Sequence, residues 1–247
     1  MIPWLEADTP FPPVQSALKT PNGLLAAGGD LSPRRLLDGY RHGIFPWFSE
    51  GDPILWWSPD PRMTLIPEEI KISRSLAKTL RNRAYEVRFD HGFADVMAGC
   101  ASPRKGENGF ERGTWIIDSM RAAYEELHRM GYAHSVETWI DGRLAGGLYG
   151  VALGRVFFGE SMFSVERDTS KIALVALAEH LKSSGFGLID CQMHTPHLES
   201  LGARELPRPR FLRKLEELIH YDNAPSDSGT KAGTWAGASF VHEPCRN

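Results

Sequence analysis

Glu160 is the one ionisable group inside Val156-Phe-Phe-Gly-Glu-Ser-Met-Phe163, and a carboxylate in so apolar a run is either paired or turned toward a cavity. Burial raises a carboxyl pKa, so such a group could accept a proton or hold a substrate ammonium near neutral pH; a structural salt bridge is the competing reading. A second constellation is Gly187-Leu-Ile-Asp-Cys-Gln192, an apolar strand that ends in polar groups. In extended chain Asp190 and Gln192 share one face and Cys191 takes the other, an arrangement that suits a carboxylate orienting an amide. Cys191 invites comparison with a nucleophile, but spacing alone puts neither His194 nor His197 beside it and alternation points it away from Asp190 and Gln192, so it reads better as a small buried apolar residue. A third set is Arg74, Lys78 and Arg81, at i, i+4 and i+7 of an expected helix, with Ile72, Leu76 and Leu80 on a separate packing stripe. Such a cationic face can neutralise phosphates, or it can simply be solvated.

Flat ligands need flat partners. Trp47, Trp56 and Trp57, three of seven tryptophans, fall in one span with prolines at 46, 53, 59 and 61. The prolines forbid a long regular element, so the span reads as a stiff aromatic loop. It can stack a nucleobase, at roughly 1–3 kcal/mol per base, or glue two lobes together.

Other chemistries are poorly supported. The glycines at 142, 146, 147, 150 and 154 fit neither G-x-G-x-x-G nor G-x-x-x-x-G-K-[ST], and H-E-x-x-H is absent, so neither a phosphate loop nor a metal is expected. The cysteines, at 100, 191 and 245, have no paired metal spacing and suggest no disulfide framework. No stretch of about 18 apolar residues occurs, and Met1-Ile-Pro-Trp-Leu-Glu-Ala-Asp8 lacks signal-peptide regions. A cytoplasmic protein with no membrane contact is expected. The net charge of −3 says little about partners, because clustering of basic residues matters as well as their sum.

These groups must be held by elements. A chain of 247 residues, 42% hydrophobic, can form one large core or two unequal ones. Residues 1–61 are rich in proline and glycine and read as a small irregular domain with one helix over 31–40. Residues 62–220 alternate. Strands are expected at 63–66, 85–89, 133–140, 143–153, 155–163 and 187–191, and helices at 73–83, 93–101, 119–130, 169–184, 197–201 and 210–220. Asp141-Gly142 marks a two-residue hairpin, so the middle strands form an antiparallel meander. Helices around a mixed sheet give an α+β, mixed α/β class. Residues 221–247 are too polar to offset the entropy of ordering and are expected to be disordered.

Several motifs in order carry a resemblance: Pro21-Asn-Gly-Leu-Leu-Ala-Ala-Gly-Gly-Asp-Leu-Ser32, Gly43-Ile-Phe-Pro-Trp-Phe-Ser49, Leu55-Trp-Trp-Ser-Pro-Asp-Pro-Arg62, Gly113-Thr-Trp-Ile116, Phe158-Gly-Glu-Ser-Met-Phe163 and Leu188-Ile-Asp-Cys-Gln192. From about residue 20 to 215 the chain resembles the leucyl/phenylalanyl-tRNA–protein transferase family. The resemblance implies an acetyltransferase-like (GNAT) larger domain whose mixed, largely antiparallel sheet is flanked by helices. It also implies transfer of leucine or phenylalanine, and also methionine as a third donor, from aminoacyl-tRNA to the α-amine of proteins beginning with Arg or Lys. That transfer marks them for N-end rule degradation. It implies no cofactor and a monomer. By position, Trp47 and Trp115 would hold the terminal adenosine, Phe157, Leu174, Leu177 and Ile189 the aminoacyl side chain, and Arg74, Lys78 and Arg81 the tRNA phosphates. Asp190 would polarise Gln192, whose amide assists the attacking amine, and Glu160 would position amino groups. The rivals are an acyl-CoA-dependent N-acetyltransferase, for which Arg167-Asp-Thr-Ser-Lys171 lacks a pyrophosphate loop, and a non-catalytic tRNA-binding module.

Overall fold

The computed structural model describes residues 2–102, 104–105, 111–112, 116–219, 235 and 239–244. The amino-terminal lobe holds β1 (Trp4–Leu5), β2 (Leu24–Gly28), α1 (Pro33–Arg41), β3 (Phe45–Pro46) and β4 (Leu55–Trp57), its strands forming one sheet in the order β1-β2-β4-β3. The proline and glycine content predicts an irregular lobe and an aromatic loop. Short strands form instead, because two to five residues fit between prolines and Pro46 sits on the edge strand β3, where a missing N–H costs nothing. Trp56 is fully buried and donates from Nε1 to Gly28 O at 2.9 Å, so it is glue. Ser32 caps α1 by accepting from Arg35 N, with Pro33 opening the helix, which moves its start from the expected residue 31.

The rest of the chain runs β5 (Arg62–Leu65), α2 (Arg74–Asn82), β6 (Tyr85–Phe89), α3 (Phe93–Ala101), β7 (Arg104–Lys105), β8 (Glu111–Arg112), α4 (Asp118–Arg129), β9 (Ala133–Ile140), β10 (Arg143–Leu153), β11 (Val156–Ser164), α5 (Thr169–Ser183), β12 (Leu188–Gln192), α6 (Pro196–Ser200), β13 (Arg204–Leu206), α7 (Arg208–Ile219) and β14 (Ser239–His242). Eight strands form a sheet in the order β13-β5-β12-β11-β10-β9-β6-β14, antiparallel throughout except for β11 beside β12, which α5 connects. The class is mixed α/β, with a largely antiparallel sheet flanked by helices. Strand alternation sorts the core: Tyr149, Val151 and Leu153 of β10 pack with α3, α4 and the amino-terminal lobe, whereas Leu148 and Ala152 pack with α5 and α2. The two lobes thus share one core. Among the described residues no helix is long and apolar enough to cross a membrane.

Two expectations need correction. Ile72 is 44% exposed, because it precedes the cap Ser73 and lies outside the helix that buries Leu76. Residues 235 and 239–244 of the tail expected to be disordered are ordered: β14 pairs with β6, and Trp235 is fully buried. Trp235 is buried by contacts with the sheet and α5, which average composition does not register.

Candidate active site

The sheet opens where the chemistry-bearing residues lie. The parallel pairing of β11 with β12 stops at Phe158↔Asp190, although β11 continues to Ser164. From there a cavity of about 780 Å³ spreads between the strands, α5 and the amino-terminal lobe, a size ordinary for a small-molecule site. Phe157 and Ile189 are register partners and project to the same face, where Leu174 and Leu177 of α5 meet them; all four line the cavity. Gly150 makes this packing feasible, since a Cβ there would stand 2.6 Å from the Phe157 ring.

Glu160 occupies a β-bulge. Tyr149 pairs with Ser161 and Gly150 with Gly159, leaving Glu160 as the extra residue of β11. The parity of the strand changes across it: Val156 and Phe158 join the same core as Phe163. The bulge thus aims one carboxylate at the junction of the lobes, where Tyr40 of α1 donates to its Oε1 at 2.7 Å and Tyr124 of α4 to its Oε2 at 3.0 Å. The two hydroxyl oxygens also lie within hydrogen-bond reach of each other, a bond that either can donate only by giving up its bond to the ionised Glu160. Burial pushes the Glu160 carboxyl up from 4.5 to about 7; the tyrosine hydrogen bonds pull it down, Asp190 raises it and Arg62 lowers it. Burial holds both tyrosine hydroxyls well above their ordinary range, so they remain donors. Tyr149 lines the same cavity, and its buried hydroxyl has no hydrogen-bond partner among the described residues.

A raised carboxyl pKa means that the folded chain holds a proton the unfolded chain releases between pH 4.5 and about 7. The stability contributed by that proton is full below pH 4.5 and is lost as pH rises through about 7. Tyr124→Phe removes a hydrogen bond to the ionised form and is expected to extend this decline to higher pH. Unfolding free energy measured against pH checks it; a profile superimposable on the wild type would show that the hydroxyl does not act on Glu160.

Asp190 does not border the cavity. It is fully buried and holds Arg62, itself 1% exposed, through two hydrogen bonds, Nε to Oδ1 at 2.8 Å and a terminal guanidinium nitrogen to Oδ2 at 2.7 Å. Arg62 also donates to Gly43 O at 3.0 Å, and its guanidinium lies 4.8 Å from the ring centres of both Phe45 and Phe211. The expected shared face of Asp190 and Gln192 is corrected here. Gln192 adopts φ 55° at a bulge against β5, so the strand is not extended there, and its backbone N–H, not its side chain, donates to Asp190 Oδ1 at 3.0 Å. Gln192 and Cys191 both line the cavity, and the Gln192 side-chain nitrogen is buried without a hydrogen-bond partner among the described residues. Burial first, and then the charge of Asp190, push the Cys191 thiol far up, away from nucleophilic thiolate.

Trp47 stands at the mouth of the cavity, 41% exposed, braced by Trp57, whose Nε1 donates to Trp47 O at 2.6 Å with the rings 5.5 Å apart. Trp115 lies outside the described residues. Arg74, Lys78 and Arg81 are exposed on one side of α2 and do not border the cavity. Arg62, Tyr40, Tyr124 and Tyr149 were not legible as site residues, although an arginine closing Leu55-Trp-Trp-Ser-Pro-Asp-Pro-Arg62 is a buried-charge signal of the same kind as Glu160.

Residues 29–60 match the leucyl/phenylalanyl-tRNA protein transferase N-terminal domain, and residues 64–216 match the leucyl/phenylalanyl-tRNA protein transferase model. A leucyl/phenylalanyl-tRNA–protein transferase of Nitrosospira multiformis is 62% identical over 221 residues, covering 90% of this chain and 94% of that protein. One from Nitrosomonas europaea is 63% identical over 218 residues, with 88% and 91% covered. Among solved structures, a ribosomal-protein-alanine N-acetyltransferase from Brucella melitensis aligns at TM-score 0.33 and 16% identity over 59% of this chain and 96% of that one, a likeness that carries no inference about chemistry.

Proposed function

Since the chain belongs to the leucyl/phenylalanyl-tRNA–protein transferase family, we propose that it moves leucine, phenylalanine or methionine from aminoacyl-tRNA to the α-amine of proteins beginning with Arg or Lys, marking them for N-end rule degradation. The observation that carries the donor side of this reading is one cavity with an apolar wall of Phe157, Leu174, Leu177 and Ile189, a carboxylate at Glu160 and an exposed indole at Trp47. The wall suits an apolar side chain, and the indole, with Trp115, suits the terminal adenosine.

An aminoacyl ester is already activated. The acceptor nitrogen attacks the carbonyl carbon, a tetrahedral oxyanion forms, the bond to the ribose oxygen breaks, and the amine proton ends on that oxygen. The protein must orient, stabilise the oxyanion and move the proton. The Gln192 side-chain nitrogen, without a hydrogen-bond partner among the described residues, is a donor that a developing oxyanion would satisfy. Glu160, poised at about 7, can hold an ammonium and take its proton. Asp190 acts through others: with Arg62 it fixes the backbone that carries Gln192.

Incubation with leucyl-tRNA and a peptide beginning with Arg tests this reading. Leucine on the peptide supports it; acetyl transfer from acetyl-CoA would favour the acetyltransferase alternative, and tRNA retention without transfer a binding module. For α2, the double variant Arg74→Ala, Lys78→Ala is expected to weaken tRNA binding uniformly across sequences and to reduce the slope of log K against log salt by about 1 per lost contact. Binding titrations at several salt concentrations read it, and an unchanged slope would mark the face as merely solvated.

A further inference from the structure

Phe157 has the cavity on one side and, on another, an indole from the far end of the chain. Trp235 is fully buried and stacks on the Phe157 ring, 5.7 Å between centres at 25°. It belongs to the same apolar cluster as Leu148, Leu174, Leu177 and Ile189. Its own position is fixed: His134 stacks on it at 4.3 Å and 13°, and His180 touches it at 4.6 Å. Four residues later β14 is tied along β6 by the register Ser239↔Arg88 to His242↔Tyr85, with His242 stacked on Tyr85 at 4.9 Å. The family match ends at residue 216, so the segment bearing Trp235 lies beyond it.

We propose that Trp235 is a positioning residue for the donor cavity: backing Phe157 from the carboxy-terminal segment, it limits how deep an aminoacyl side chain can enter and so weights the choice between leucine and phenylalanine. This rests on reading the cavity as the aminoacyl pocket. The physical basis is confinement. The Phe157 ring lies against Gly150, where even a Cβ would collide with it, and against the indole. Interiors are packed to crystal density, so a ring relaxes toward any void left beside it. Removing the indole gives Phe157 room to withdraw from the cavity, which then admits a larger side chain. Retaining a smaller ring gives it less.

The test uses the full chain as wild type, Trp235→Ala and Trp235→Phe, with kcat/KM measured for leucyl-tRNA and phenylalanyl-tRNA and folding followed by thermal unfolding. Trp235→Ala is expected to raise the phenylalanine-to-leucine ratio roughly tenfold, the low end of what one methylene of fit supplies, and Trp235→Phe to raise it less. A merely structural indole would lower both donors together, so an unchanged ratio in folded variants overturns the inference. Should Trp235→Ala fail to fold, Trp235→Phe decides by the same ratio. A wild type inactive with both donors would instead overturn the pocket reading, and this inference with it.

Discussion

Arg62→Ala is expected to destabilise the fold by about 3–5 kcal/mol, the penalty for leaving a buried charge without its partner. Asp190 is fully buried, and both of its oxygens are occupied by Arg62. Without the guanidinium it must either ionise unpaired or take up a proton. The loss spreads further, because Arg62 also bridges Gly43 of the amino-terminal lobe, Phe45 and Phe211 of α7. Against a total stability of about 5–15 kcal/mol for an ordinary domain, this is a large fraction. Urea denaturation checks it; a midpoint within experimental error of the wild type would show that the pair does not hold the lobes together. Asp190→Ala should behave similarly, and its effect on turnover is then read through the Gln192 backbone it supports.

Glu160→Gln is expected to lower the rate of aminoacyl transfer by about 10²-fold, the lower range of what a positioned general base supplies. The substitution keeps the size and leaves oxygen and nitrogen facing Tyr40 and Tyr124, so the fold is expected to survive. The pH profile is the sharper readout. With a carboxyl near 7, the wild-type rate should rise as pH climbs through that value, because the ionised form is the one that can accept a proton. The limb should vanish in the variant. A retained limb would place the titrating group elsewhere, on the acceptor amine for instance.

Local signals carried the frame. Asp141-Gly142 forms the turn it promises, both residues with positive φ, at 49° and 73°, and the strands on either side fall at 133–140 and 143–153 as expected. The apolar wall came from the family resemblance; helix spacing alone put Leu174 and Leu177 on one face, and the pairing of Phe157 with Ile189 is set by a register between strands that lie on either side of α5 in the chain. What sequence did not reveal depends on partners far along the chain. The bulge at Glu160 exists only relative to Tyr149 and Gly150, and the left-handed Gln192 only relative to β5. Arg62 and Asp190 meet across 128 residues. Tyr40 and Tyr124 converge on Glu160 from two helices, α1 and α4. Trp235 sits in a segment whose composition argues against order. Its burial is decided by Phe89 of β6, His134 of β9 and His180 of α5, all far from it in sequence.

Direct transfer, without an acyl-enzyme, is the claim on which the chemistry turns. Single-turnover reaction of the enzyme with labelled leucyl-tRNA and an Arg-initiated peptide, quenched in acid at successive times, tests it. The expected result is label passing from tRNA to the peptide α-amine, with none on the protein and none on a peptide whose amine is acetylated. Label recovered on the enzyme as a thioester of Cys191, or no label on the peptide at all, would contradict it.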